Sequence, residues 1–198
     1  MLSTLIAGKT RTKILYLLFG DPKKNLHMRN IEKLTGERIN AVRTTLISLV
    51  LKNILIKEHI GKKIFFRANP QGIFYEELLR LVAKTSGIGA RILKERLHLG
   101  KIKTAFLTSD YYMRKEREGS EVDVVIIGTV SLAEVAKITK EEGEKEGVEL
   151  NYSVMTPEEL NERKKNKDSF LTRLLQRNRV YIIGSDPLIE ILEEKPKA

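Results

Sequence analysis

The sequence predicts a two-domain chain of mixed α+β and α/β class. Helices closed by a β-hairpin come first, and strands alternating with helices follow a helical connection. Three observations predict it. Apolar residues recur at helical spacing between residues 9 and 52, then switch to two-residue alternation between 54 and 67. From Lys101 onward, short β-branched runs alternate with amphipathic ones, as in an α/β module. The charge divides at the same place: residues 1–100 hold 19 Lys and Arg against seven Asp and Glu, whereas residues 101–198 hold 17 against 19. A chain of 198 residues is long enough for two modest domains, each with its own core.

Composition removes several classes. With 41% hydrophobic and 31% charged residues, the chain belongs with globular proteins rather than disordered ones. No apolar run approaches the roughly 20 residues that span a bilayer, and the first residues lack a signal-peptide core; a cytoplasmic protein without a membrane partner is expected. The absence of cysteine excludes disulfides and thiolate metal sites, and His27, His59 and His98 lie in separate elements without metal-type spacing. Lack of Cys and Trp, with abundant Lys, Glu and Ile, points by composition alone to a thermophile source as the expectation.

The first helix is expected over residues 9–19, KTRTKILYLLF, ended by Gly20 and an Asp21-Pro22 turn. Residues 28–52 read as two short helices, with Ile31 and Leu34 in the first, Gly36 ending it, and Val42, Leu46, Leu49 and Val50 in the second. At about 100° per residue those apolar positions share one side of the second helix. Asn40, Ala41, Thr44 and Ser48 face the other way, flanked by Arg43 and Thr45. Small hydroxyl and amide side chains of this kind suit a base-reading surface. An ordinary amphipathic helix pair fits the same spacing. Residues 54–60 and 64–67 then alternate as strands around a Gly61-Lys62-Lys63 tip. Helix, helix-turn-helix and basic hairpin follow the order of a winged helix, whose second helix enters the major groove while the wing tracks phosphates.

Over residues 9 to about 70 the sequence resembles the winged-helix regulators of the ArsR and MarR type. The resemblance implies double-stranded DNA as partner, with Arg38, Asn40, Arg43, Thr44, Thr45 and Ser48 facing it. Lys57, Lys62, Lys63 and Arg67 would serve the wing. The metal-sensing cysteines of ArsR-type proteins have no counterpart here. A winged helix can instead bind protein, but 14 basic residues against four acidic ones over residues 1–70 favour nucleic acid. On this reading residues 1–70 form the DNA-binding domain. Residues 71–100 supply connecting helices that make the contact of a homodimer or serve as a spacer, and 101–198 form the α/β domain.

The second half carries one chemical motif, residues 119–128, GSEVDVVIIG. On a strand, Glu121 and Asp123 share a face and can coordinate one divalent metal. A solvated strand face bearing incidental acids is the plainer explanation. Two carboxylates separated by one residue are similar to the minimal nucleotidyltransferase superfamily, the fold of DNA polymerase β and kanamycin nucleotidyltransferase. That family's pattern adds a Gly-Ser pair after the first strand and a third carboxylate on a later one. Here the pair falls on Thr108-Ser109 or Ser109-Asp110, and neither contains the glycine that lets backbone amides approach phosphates. Glu149 is the acidic candidate for the third position, which Asn151 matches as readily.

The resemblance therefore implies nucleotide contact at Thr108 and Ser109, metal at Glu121 and Asp123, and catalytic candidates Glu121, Asp123 and Glu149, on an incomplete site. The expected function is a sequence-specific transcriptional regulator whose second domain senses a nucleotide effector or dimerises, without a cofactor. The first alternative is an active nucleotidyltransferase, using Mg²⁺ and a nucleoside triphosphate to modify a small molecule, protein or RNA. The second is an antitoxin-like protein-binding module. Residues 161–168, NERKKNKD, read as solvated helix and loop, and Ser185-Asp186-Pro187 as the start of a final helix.

Overall fold

A computed structural model describes residues 2–115 and 121–185 of the chain; the final helix expected after Ser185 lies outside them. They form two units: one runs through Ser86 and includes Tyr112–Arg114, and the other takes the remainder from Gly87 onward.

In the first unit the order is α1 (Leu2–Leu5), α2 (Lys9–Phe19), β1 (Leu26–His27), α3 (Met28–Thr35), α4 (Ile39–Leu51), β2 (Leu55–Ile60), β3 (Lys63–Ala68) and α5 (Tyr75–Thr85). The apolar spacing acts as expected. Ile14, Leu15, Leu18 and Phe19 of α2, Ile31 of α3 and Val42, Leu46 and Leu49 of α4 are all buried. α2 packs against α3, α4 and α5. Gly36 ends α3 at φ 64°, a left-handed conformation that favours glycine, and its N–H donates to Glu32 O. The hairpin pairs Leu55 with Ala68 through to Ile60 with Lys63, so Lys63 opens β3 rather than sitting in the tip. The two-residue β1 joins the far side of β3, giving a three-stranded sheet in the order β1-β3-β2. Helices α2 to α4 followed by this sheet are a winged helix-turn-helix arrangement.

The second unit contains α6 (Gly87–Leu99), β4 (Gly100–Thr108), α7 (Ser109–Tyr112, its last residue grouped with the first unit), β5 (Val124–Val130), α8 (Leu132–Glu146), β6 (Tyr152–Met155), α9 (Pro157–Lys165), α10 (Ser169–Gln176) and β7 (Arg179–Ile183). Its four strands lie in the order β6-β5-β4-β7, with β5 and β6 parallel and the other pairings antiparallel. Phe106, Val125, Ile127 and Met155 bury one face of this sheet with Leu160, Leu171 and Leu174 of α9 and α10. The alternate positions Ala105, Leu107, Val124 and Ile126 are buried on the other face. A Ser131 cap starts α8, and a reciprocal Thr156–Glu159 capping box starts α9.

Two details differ from the sequence expectation. The helices expected as a connection fall in different units, because α6 runs directly into β4 and packs on α8. The Arg91 guanidinium fixes that packing: it reaches Glu95 at 2.6 Å on its own helix and Glu141 at 2.9 Å on α8. Second, β5 begins at Val124, so Glu121 and Asp123 precede the strand instead of lining its face. Asp123 Oδ2 accepts the Asn151 amide at 2.8 Å, and a side chain replaces a carbonyl where the β5–β6 ladder would otherwise continue.

Candidate nucleic-acid interface

The turn between α3 and α4 is held from α2. Lys13 Nζ donates to Thr35 O at 2.7 Å and lies 2.7 Å from Glu37 Oε1, while Thr10 Oγ1 donates to Glu37 Oε2 at 3.2 Å. The Glu37 carboxyl is held below its ordinary pKa, first by the Lys13 hydrogen bond, with the Thr10 bond and the Lys13 and Lys9 charges adding to it against partial desolvation. The acid nearest the start of α4 is thereby neutralised within the fold. α4 has no acid in its first turn, and its N-cap Arg38 makes no side-chain capping bond. Exposed amides and the positive end of the helix dipole favour an anion there.

Around α4, Val42, Leu46 and Leu49 point inward. Asn40, Arg43 and Thr44 are exposed, as is Arg38, while Thr45 and Ser48 are half-buried at the margins. The exposed stripe contains two residues that the polar-face reading omitted: Ile47 is 52% exposed and Leu51 is 82% exposed. Both follow Asn40 at helical spacing, seven and eleven residues on, so the same 100° rotation that located the polar face also locates them. Both are apolar, so polarity alone does not single them out.

On the hairpin, Lys57, Lys62 and Lys63 are exposed. Arg67 is drawn elsewhere. Its Nε lies 2.6 Å from Glu58 Oε1 across the two strands, and Asn25 Nδ2 donates to the other Glu58 oxygen at 2.9 Å. Ile56 faces Arg67 and Glu58 faces Phe65, so the ion pair is the diagonal neighbour within one sheet face. Arg29, Asn30 and Lys33 of α3 add further exposed polar and basic groups.

The second unit places its acidic candidates differently from a shared strand face. Arg177, after α10, forms a short ion pair with Asp110 Oδ2 and lies 3.6 Å from Glu121 Oε1; Lys115 Nζ lies 3.3 Å from Asp110 Oδ1. Asp110, absent from the expected carboxylate set, is therefore the hub of the cluster. Asp123 is buried and bound to the Asn151 amide, while Glu149 is exposed before β6. Thr108 and Ser109 are buried, with Thr108 Oγ1 donating to Val122 O at 2.7 Å and Ser109 N donating to Asn178 O at 2.8 Å. One feature suits a cation: Glu121 Oε2 is buried without a hydrogen-bond partner. The rest do not fit Mg²⁺, because a guanidinium already spans two of the carboxylates. Among the described residues no three His, Asp or Glu side chains group as a metal site.

Among the described residues no helix is long and apolar enough to cross a membrane. No protein-family model matches the chain, and no curated protein matches it. Among solved structures, the chain is similar to the homodimeric winged helix-turn-helix DNA-binding domain of a possible ArsR-family transcriptional regulator from Mycobacterium bovis. The identity is 20%, the TM-score is 0.33, and the match covers 48% of this chain and 78% of that one.

Proposed function

We propose that the chain is a sequence-specific, DNA-binding transcriptional regulator. Its first unit would present α4 to the major groove of double-stranded DNA, with Arg38, Asn40, Arg43 and Thr44 toward bases and phosphates, and Lys57, Lys62 and Lys63 along the flanking backbone. One observation carries this reading: Asn40, Arg43 and Thr44 on α4 and Lys57, Lys62 and Lys63 on the hairpin are exposed polar or basic groups, while Glu37 and Glu58 of the same unit are half-buried and ion-paired with Lys13 and Arg67. Those two acids are charge-compensated, and the lysines of the hairpin and Arg43 of α4 stay exposed to a polyanion.

The second unit completes the reading as a nucleotidyltransferase-like module used for nucleotide sensing or dimerisation rather than transfer. What supports this is the prior engagement of its carboxylates: Arg177 serves Asp110 and Glu121, and the Asn151 amide serves Asp123. A homodimer on a two-fold symmetric site follows the usual logic of helix-turn-helix binding. The test is a mobility-shift competition with the full chain on genomic fragments, with and without nucleoside triphosphates. The reading expects a subset of fragments to survive excess mixed-sequence competitor, with nucleotide changing the retained fraction. Uniform loss of every fragment would reject sequence-specific binding.

A further inference from the structure

Ile47 and Leu51 are the large hydrocarbons on the exposed stripe of α4, and Ile47 is the one that lies among its polar residues. On the helical projection it lies between Arg43 and Thr44, close to the line of Asn40, and opposite the buried Val42, Leu46 and Leu49. About half of its surface stays open, since it is 52% exposed. Arg43, one turn before it on the same side, and the absence of any acid in α4 match it to an anionic partner rather than to a second apolar surface. In the major groove the apolar group a side chain can meet is the thymine 5-methyl.

Resting on the DNA-binding reading, we propose that Ile47 is a specificity-determining residue that recognises a thymine methyl within each half-site. Its position supports this assignment over Leu51. Ile47 lies about 10 Å along the axis from Asn40, whereas Leu51 lies about 16 Å away, and recognition helices address bases chiefly with their N-terminal residues. Asn40 and Arg43 supply hydrogen bonds of the kinds that read adenine and guanine. Ile47 adds the base that offers a methyl, so the preferred half-site contains a thymine opposite the third turn of α4.

The experiment begins with selection of binding sites from random duplex DNA by the full chain. Each thymine of the selected site is then replaced singly by deoxyuridine, which removes only the methyl. Wild-type protein should lose about fourfold in affinity at one thymine per half-site, the weight of a methyl group returned to water. Ile47→Ala should bind the thymine duplex more weakly and show no further loss with deoxyuridine there. Ile47→Val, which keeps a branched hydrocarbon, should retain the difference. Circular dichroism and the thermal midpoint of both variants establish that the exposed position is not needed for folding. An unchanged methyl dependence in Ile47→Ala, or no methyl-sensitive thymine at all, overturns the proposal while leaving DNA binding intact. Failure of selection to enrich any sequence overturns it together with the reading on which it rests. Loss of self-association in Ile47→Ala without methyl dependence assigns the residue to a protein contact and overturns it as well.

Discussion

The Lys13 ammonium lies 2.7 Å from the Glu37 carboxylate, joining the first long helix to the turn that launches α4. The same nitrogen donates to Thr35 O at 2.7 Å, so one cation secures both the end of α3 and the residue before the Arg38 cap. The position of the exposed α4 face is therefore set from α2 as well as by its own buried stripe.

This pair has a pH signature. Glu37 titrates below its ordinary value of 4.5, first because Lys13 hydrogen-bonds the ionised form. Its contribution is present above that ordinary value and is lost as pH falls through the lower, folded-state value. Glu37→Gln should lower the thermal midpoint at pH 7, and the gap from wild type should close on acidification below about 4.5. A gap that is constant across this range would show that the ion pair does not stabilise the turn.

The wing lysines and Arg67 should separate in salt dependence. Replacing Lys62 and Lys63 together by Ala should flatten the plot of log affinity against log salt by about 1.8, given about 0.9 per phosphate contact. Arg67→Ala should leave that slope unchanged and cost about 0.5–1 kcal/mol of stability, because its partner is Glu58. A slope reduced by about one in Arg67→Ala would place that guanidinium on phosphate.

Arg177 compensates a buried carboxylate. Asp110 has a side-chain exposure of 9%, and Arg177 one of 38%. Arg177→Gln should destabilise the chain by about 1–3 kcal/mol, less than for a fully buried pair because water reaches the guanidinium. Adding Asp110→Asn should recover part of that loss. The urea midpoints of the three variants provide the comparison, and additive losses would refute the coupling.

The second unit should transfer no nucleotide. Incubation of the full chain with Mg²⁺ and labelled nucleoside triphosphates should leave protein, RNA and small-molecule acceptors unlabelled. Reproducible labelling that disappears in Asp123→Ala would replace the regulatory reading with an enzymatic one.

Much of the architecture was legible because long amphipathic elements declare their period. The buried positions of α2 and α4 follow the 3.6-residue repeat, and the alternation after Asn53 marks the hairpin. β1 is only two residues long, too short to show any period, and exists because β3 offers it an edge. Gly87-Ile88-Gly89 reads as a break, yet it opens α6. Gly87 adopts φ 51°, a left-handed conformation that favours glycine, and a Cβ there would also crowd the Glu146 carboxylate, so the glycine serves the start of a helix rather than a break.

The site was less legible than the fold. Exposure of Asn40, Arg43 and Thr44 follows from helical geometry alone. Pairing of Arg67 with Glu58 depends on strand register, and the convergence of Arg177 on Asp110 and Glu121 joins residues far apart in sequence. Local alternation suggested a strand through Glu121 and Asp123, but the competing bond from the Asn151 amide is a tertiary event.

The most direct test of base reading by α4 compares affinity for a selected duplex with affinity for mixed-sequence DNA, in wild type, Asn40→Ala and Thr44→Ala. Each substitution should lower binding to the selected duplex by about 5- to 150-fold, equivalent to about 1–3 kcal/mol, while mixed-sequence binding changes little. An equal loss on both duplexes would contradict base readout by this helix.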